Sequence, residues 1–310
     1  MLCPPRRTRP RPARLRLASA CLAASALLVA CAAPSSPAAA AGGRLAVVAA
    51  ENFWGDIARQ IGGGHVVVTS IITDPNADPH SYETDPSAAA AINDAALVIE
   101  NGAGYDDFID KLLSTNPNTG RDVLSIAQTV GAAGGNPNPH LWYSPGYVTA
   151  AAHAIETRLA GHDQAHAAEY QTNLQTFLAA YQPYIDTLAT IRARHGGTPI
   201  AYTERVPGYL VDNAMLRLAT PASFAQAIED GNDPSPADTA AMDDAMTHRL
   251  VKVLLYNAQV TSPTTQKVRD LATANGIPVV GVAETIPAGE PSFQAWQIHQ
   301  AQAILAALGG

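Results

Sequence analysis

Two kinds of apolar pattern alternate along the first part of the chain. Residues 44–50, RLAVVAA, form a short apolar block suited to a buried strand. The next stretch, NFWGDIARQIGG, sets Phe53, Trp54, Ile57 and Ile61 at helical spacing, and glycines at 62, 63 and 64 stop it. HVVVTSII at 65–72 is a β-branched run and predicts a second strand. A Pro-stiffened acidic loop follows, DPNADPHSYETDPS, and then a helix over PSAAAAINDA. ALVIEN at 96–101 predicts a third strand and YDDFIDKLL a third helix. Strands alternating with helices predict a parallel sheet covered by helices.

The middle of the chain carries no strand signal from 145 to 195. GYVTAAAHAIETRLAG reads as one helix, and the run from 163 to 195 as another, with Asp163 as N-cap and Gly196 as stop. Roughly 30 residues at about 1.5 Å each span about 45 Å, too long for one small lobe, and Pro183 should kink it. Strand and helix then alternate again: a strand at 198–204, a helix at 208–219, and a helix after the Pro-rich turn at 233–236. LVKVLLYN, SPTTQKVRDLATANG and IPVVGVAE follow as strand, helix and strand, and a last helix runs from 293 to 308. The expected fold is α/β, with two βα lobes, each a parallel sheet flanked by helices, joined by one long helix. The expected boundaries are 44–162 for the N-terminal lobe, 163–195 for the linking helix and 196–310 for the C-terminal lobe.

Charge and cysteine usage narrow the picture. The chain is 310 residues long with a formal net charge of −8. Its first 31 residues hold six arginines and no acid, so the rest has 13 basic against 27 acidic residues, a net −14. A body this negative repels nucleic acid. The basic start followed by LASACLAASALLVAC reads as a targeting segment, shorter in its apolar part than the ~20 residues of a spanning helix. Leu28-Val29-Ala30-Cys31 resembles a bacterial lipobox, which makes 1–31 a lipoprotein signal peptide, Cys31 the lipidated residue, and 32–43 a flexible tether. The plainer alternative is a secretory signal cleaved near Ala40. Cys3, Cys21 and Cys31 are the only cysteines, so the processed protein offers no disulfide, thiol nucleophile or thiolate metal site.

Candidate chemistry sits just past strand ends. His80 lies in the rigid loop after the second strand, and His140 in a second Pro-stiffened loop, NPNPHLWYSP. Glu204 closes the strand TPIAYTE and Glu284 the strand IPVVGVAE. Two imidazoles and two carboxylates suit a divalent transition ion. Taken singly, a loop histidine is more often solvated, and a strand-end glutamate is usually surface. His162 and His166, four apart with Glu169 three further on, have a spacing that can hold a metal, but solvated helix positions explain them better. His65, His153, His195, His248 and His299 are isolated in sequence. No GxSxG, P-loop or dinucleotide fingerprint occurs.

DPNADPHSYETDPS, NPHLWYSP and ENGAGYDDFIDKLL resemble the signature segments of the TroA-like family of zinc- and manganese-binding lipoproteins that serve ABC importers. DPSPADTAAMDDAMTHRLVKVLLYN and IPVVGVAETIP resemble its C-terminal lobe. The resemblance covers nearly all of 44–307. It implies a metal held between two lobes joined by a rigid helix, with His80 and His140 as the two family histidines. It also implies Glu204 where members carry histidine or glutamate, and Glu284 where the family usually has aspartate. The expected cargo is one Zn²⁺ or Mn²⁺ per chain. Zinc is slightly favoured, because it out-competes manganese at most nitrogen and oxygen sites. Against zinc, the region before the second motif is only VGAAGGNPNPH, without the long His-rich loop of many zinc-uptake members.

The expected function follows: a monomeric, non-enzymatic solute-binding protein, outside the cytoplasm and lipid-anchored to the cell membrane, that delivers the ion to an ABC permease and its ATPase. A metal-dependent hydrolase using the same His/Glu cluster is the alternative. A binder of an organic solute, which would want an aromatic-lined cleft, is a third reading.

Overall fold

The computed structural model describes residues 39–40, 43–74, 82, 86–135 and 137–309, with backbone alone at 39–40. Cys31 and most of the acidic loop, His80 included, lie outside the described residues. The described elements belong to one compact unit, 36–310.

Two sheets organise it. The first contains β1 (Ala39–Ala40), β2 (Arg44–Glu51), β3 (Val66–Ile72), β4 (Leu97–Glu100) and β5 (Asp122–Ser125). The second contains β6 (Pro199–Tyr202), β7 (Arg217–Leu218), β8 (Leu254–Asn257) and β9 (Val279–Val282). Among the described residues the helices are α1 (Asn52–Gly62), α2 (Pro86–Asp94), α3 (Phe108–Thr115), α4 (Ile126–Thr129), α5 (Pro145–His162), α6 (Ala167–His195), α7 (Gly208–Asn213), α8 (Ala222–Glu229), α9 (Pro236–Thr247), α10 (Pro263–Ala274) and α11 (Phe293–Ala307).

In the first sheet β2 lies between β3 and β4, with β5 beyond β4, all parallel; β1 pairs antiparallel with the start of β2, Ala39 opposite Leu45. In the second, β6 lies between β7 and β8, with β9 beyond, again parallel. In each sheet the chain leaves its first parallel strand to one side and later returns on the other. That reversal opens a crevice at the carboxyl end of β2 and of β6, where ligands of open α/β sheets bind. Helix starts are sharply encoded. Ser144, Ser235 and Ser262 each precede a proline and accept from the backbone N–H three residues on, in Tyr147, Asp238 and Thr265.

The long helix α6 has 29 residues, and Pro183 sits inside it without ending it. At about 1.5 Å per residue it is about 44 Å long. Tyr170, Leu174, Phe177, Tyr181, Tyr184, Leu188 and Ile191 recur every three or four residues and are buried. This stripe packs against α1 and α5 on the first-sheet side and against α7 and α11 from the second half of the chain. Both sheets therefore share one core, in which Trp54 and Trp142 belong to the same buried cluster as Val206, Leu255 and Trp296. Each such large apolar side chain contributes about 1.5–3 kcal/mol on burial. Polar ties reinforce the junction. Asn52 donates to the Ile286 carbonyl at 3.2 Å and accepts from the Ile286 N–H at 3.0 Å, and Asp56 accepts from the Phe293 N–H at 2.9 Å at the start of α11.

Four local expectations change. The helix expected over 208–219 ends at Asn213, because Met215 takes a positive φ of 52° and the chain then forms β7. The strand β5 and the helix α8 were not foreseen; β5 is a four-residue edge strand with only Leu124 and Ser125 buried. Asp163 is not an N-cap by its side chain: it breaks the chain between α5 and α6, and its carboxylate binds His166 and Tyr170 instead. His162 and His166 thus do not share a helix.

Candidate metal centre

Three of the four expected residues come together between the sheets; the fourth, His80, lies outside the described residues. His140 precedes a tight turn at Leu141–Tyr143 and is fully buried. Its Nδ1 lies 2.6 Å from Asn138 Oδ1, which also accepts from the His140 backbone N–H at 3.1 Å. The proton is thereby held on Nδ1 and the lone pair on Nε2. Asn138 is itself oriented from the opposite lobe. Its Nδ2 donates to the Arg205 carbonyl at 2.7 Å, and its carbonyl accepts from Tyr209 at 2.9 Å. Gly208 makes room for this: a Cβ there would sit 2.5 Å from Asn138 Nδ2.

His140 Nε2 is 3.6 Å from Glu284 Oε2. Glu284 is fully buried just beyond β9 and accepts from the Tyr105 hydroxyl at 3.1 Å and from Asn257 Nδ2 at 2.7 Å. Its backbone N–H donates to Gln259 Oε1. Glu204, 1% exposed just past β6, accepts from the same Asn257 Nδ2 at 3.0 Å. One neutral amide thus bridges two buried carboxylates. The nearest cation in sequence does not relieve them, because Arg205 forks onto Glu229 at 2.9 and 2.7 Å. The surroundings are aromatic: the rings of Trp142 and Tyr105 lie 5.3 and 5.7 Å from the His140 ring. Two carboxylates in so dry a place repel one another and are stabilised by a cation.

A second acidic pair lies nearby, at the carboxyl end of β2. Glu51 is fully buried, and neither carboxylate oxygen has a hydrogen-bond partner among the described residues. Burial, and then the neighbouring Asp106 charge, raise its pKa well above the usual carboxylate range. Asp106 accepts from the N–H groups of Asn101 at 2.6 Å and Gly102 at 2.7 Å, yet burial outweighs these bonds and lifts its pKa to about 7. Glu51, Asn257 and Tyr105 were absent from the sequence-based candidates. Glu51 and Asn257 did carry a readable signal, since each is the last residue of an apolar strand.

The remaining histidines sit elsewhere. His162 points to Asp122 at 3.5 Å, His248 to Asp244 at 2.7 Å and His299 to Glu290 at 3.0 Å.

Residues 47–307 match the model of the family described as zinc-uptake complex component A, periplasmic (ZnuA). The iron-binding protein YfeA of Yersinia pestis is 31% identical over 143 residues, which are 43% of this chain and 44% of that protein. The manganese-binding lipoprotein MntA of Halalkalibacterium halodurans is 27% identical over 142 residues, 44% of this chain and 46% of that protein. The chain thus spans about half the length of the curated relatives it matches. The periplasmic zinc-binding protein TroA of Treponema pallidum superposes with a TM-score of 0.71 at 16% identity, over 86% of this chain and 99% of that one. A manganese-bound periplasmic metal-binding protein from Candidatus Liberibacter asiaticus gives 0.69 at 20% identity, over 86% and 100%. At these identities the structures establish the fold.

Proposed function

The chain belongs to the periplasmic zinc-uptake component A family, and from that premise we propose that it captures one divalent transition ion between its lobes for delivery to an ABC permease and its ATPase. That family is a component of uptake, not an enzyme. The proposed ligands are His80 and His140 from the 44–162 lobe and Glu204 and Glu284 from the 196–310 lobe. The observation that carries the reading is the shared amide. Asn257 Nδ2 holds two fully desolvated carboxylates together, beside an imidazole whose tautomer presents Nε2. A divalent ion supplies the missing positive charge.

Zinc is the proposed cargo, with manganese the runner-up. Mixed imidazole and carboxylate donors accept both, and intrinsic affinity favours zinc. The core shared between the sheets and α6 resists hinge closure, so release proceeds by loosening ligands of one lobe. The protein acts as a monomer outside the cytoplasm, anchored through a lipid on Cys31. A hydrolase would need a nearby general base beside an open coordination position, and no observation favours that alternative.

The test is calorimetric titration of metal-stripped protein with Zn²⁺ and Mn²⁺, alongside His80→Ala and His140→Ala. The expected result is at least micromolar binding that each substitution weakens by at least a hundredfold. Wild-type protein that binds neither ion, or substitutions that leave the affinity intact, would refute the reading. Unchanged affinity in Glu284→Ala would remove that residue from the ligand set.

A further inference from the structure

His65, isolated in sequence, is brought by the fold onto the junction between α5 and α6. It ends the short turn Gly63–His65 after α1, and its ring stacks on that of His166, with centroids 3.6 Å apart and planes 18° from parallel. Asp163 completes the group: one donor atom from each of His65, Asp163 and His166 lies within 4.8 Å of the others. From these observations we propose a second divalent-metal site, separate from the interlobe centre, formed by His65, Asp163 and His166 and suited to Zn²⁺.

The site is built rather than casual. Both turns are pinned from the α6 side. Asn173 Nδ2 donates to the Ile61 carbonyl at 3.0 Å, fixing the end of α1, and Tyr170 donates to Asp163 Oδ2 at 2.8 Å. Gly63 takes a positive φ of 55° where a Cβ would sit 3.1 Å from Asn173 Nδ2, so the close approach of turn and helix depends on glycine. Each imidazole is oriented by a carboxylate, His166 Nδ1 on Asp163 at 2.7 Å and His65 Nε2 on Glu169 at 2.9 Å. Donation from His65 Nε2 to Glu169 leaves the lone pair on Nδ1, the arrangement that orients metal-binding histidines; His166 Nδ1 and Asp163 face one another, and the ion would take the place of the proton they share. The three proposed ligands are partly exposed: His65 is 27%, Asp163 25% and His166 42% accessible. An ion can therefore enter from solvent, and the rings can splay from their stack to converge on it.

The donor set selects the cation. Two imidazoles disfavour magnesium and calcium, which take oxygen donors, and suit a transition ion such as zinc. The ion would clamp the turn after α1 to the start of α6, so its binding stabilises the folded state.

The test uses residues 36–310, the compact unit that holds both sheets and every described helix. Zn²⁺ is titrated by calorimetry into the parent and into His140→Ala, His65→Gln/His166→Gln and Asp163→Asn proteins, each checked by circular dichroism. The parent is expected to bind two ions. His140→Ala should keep the second-site ion, and its melting temperature should still rise with Zn²⁺. His65→Gln/His166→Gln should lose one equivalent, or weaken it at least tenfold, while the other equivalent is unchanged. The His65 and His166 ring resonances of the unsubstituted protein should shift on Zn²⁺ addition, a readout that needs no variant. A His140→Ala protein without zinc binding, an unchanged count in the double variant, or unshifted ring resonances would each overturn the proposal. If instead the parent binds a single ion that His65→Gln/His166→Gln removes and His140→Ala leaves, the interlobe reading fails and this one stands.

Discussion

Asn257→Ala tests the electrostatics of the interlobe centre without invoking any bound ion. Asn257 is fully buried, and its Nδ2 donates to Glu204 at 3.0 Å and Glu284 at 2.7 Å, while its Oδ1 accepts from the Gln259 N–H at 3.0 Å. A hydrogen bond to a charged group is worth about 1.5–3 kcal/mol and a neutral one about 1 kcal/mol. The two carboxylate bonds alone set an upper range of about 3–6 kcal/mol. Glu284 keeps its bond from Tyr105, so the expected loss is roughly 4 kcal/mol in the metal-free protein. At about 2–4 °C per kcal/mol this lowers the melting temperature by roughly 8–16 °C. The assay is thermal and urea unfolding of chelator-treated protein at pH 7.5, followed by circular dichroism. Asn257→Asp supplies the control. It preserves shape but replaces the shared donor with a third carboxylate, so it should be less stable than Asn257→Ala. If packing governed the position, the isosteric aspartate would be the milder change. Asn257→Asp at least as stable as Asn257→Ala would refute the reasoning.

Two further outcomes follow from other parts of the fold. The pKa of Asp106 is raised to about 7 and that of Glu51 also stands above its ordinary value. Folding therefore favours their protonated forms. Their stabilising contribution is complete below the ordinary carboxylate pKa of about 4 and is lost as pH rises through about 7. Metal-free protein should lose stability between pH 5 and pH 8 in urea titrations, and Glu51→Gln should flatten that loss; a Glu51→Gln curve parallel to wild type would count against the buried acidic pair. Gly62→Ala should cost about 1–3 kcal/mol, because its Cβ would fall 2.4 Å from both Val66 methyl groups between the end of α1 and β3; urea unfolding within about 0.5 kcal/mol of wild type would contradict this.

The way the lobes meet bears on function. A receptor that closes like a hinge keeps its lobes separable and polar at their junction. Here Phe293 of α11 stacks against Phe177 of α6 at 6.4 Å, and Asp56 of α1 receives the first N–H of α11. Opening the cleft as rigid bodies would expose this apolar surface. Local movement of the loops that carry Glu204 and Glu284, the proposed ligands just beyond strand ends, costs less.

Much of this was written in local sequence. The apolar run RLAVVAA becomes a strand buried on both faces, which removes the need for alternation, and the β-branched run HVVVTSII becomes a partly exposed strand paired with it. Serine–proline pairs start helices by chemistry confined to one turn. Residues just past strand ends face the crevice of a doubly wound sheet, which is why Glu204 and Glu284 were legible as candidates, and His140 was legible from its Pro-stiffened loop. The short elements were not. Arg217–Leu218 and Asp122–Ser125 owe their extended form to a neighbouring strand more than to their own pattern.

What only tertiary structure decided is which distant groups meet. No local signal says that the amide of Asn257 bridges Glu204 and Glu284, that Glu51 is buried beside Asp106, or that the ring of His65 lies on that of His166. Those contacts depend on strand order and on how α6 packs across both sheets. Residue type and spacing fix a side chain's chemistry and its direction from the backbone. They do not fix which partner, far along the chain, the packed core places in front of it.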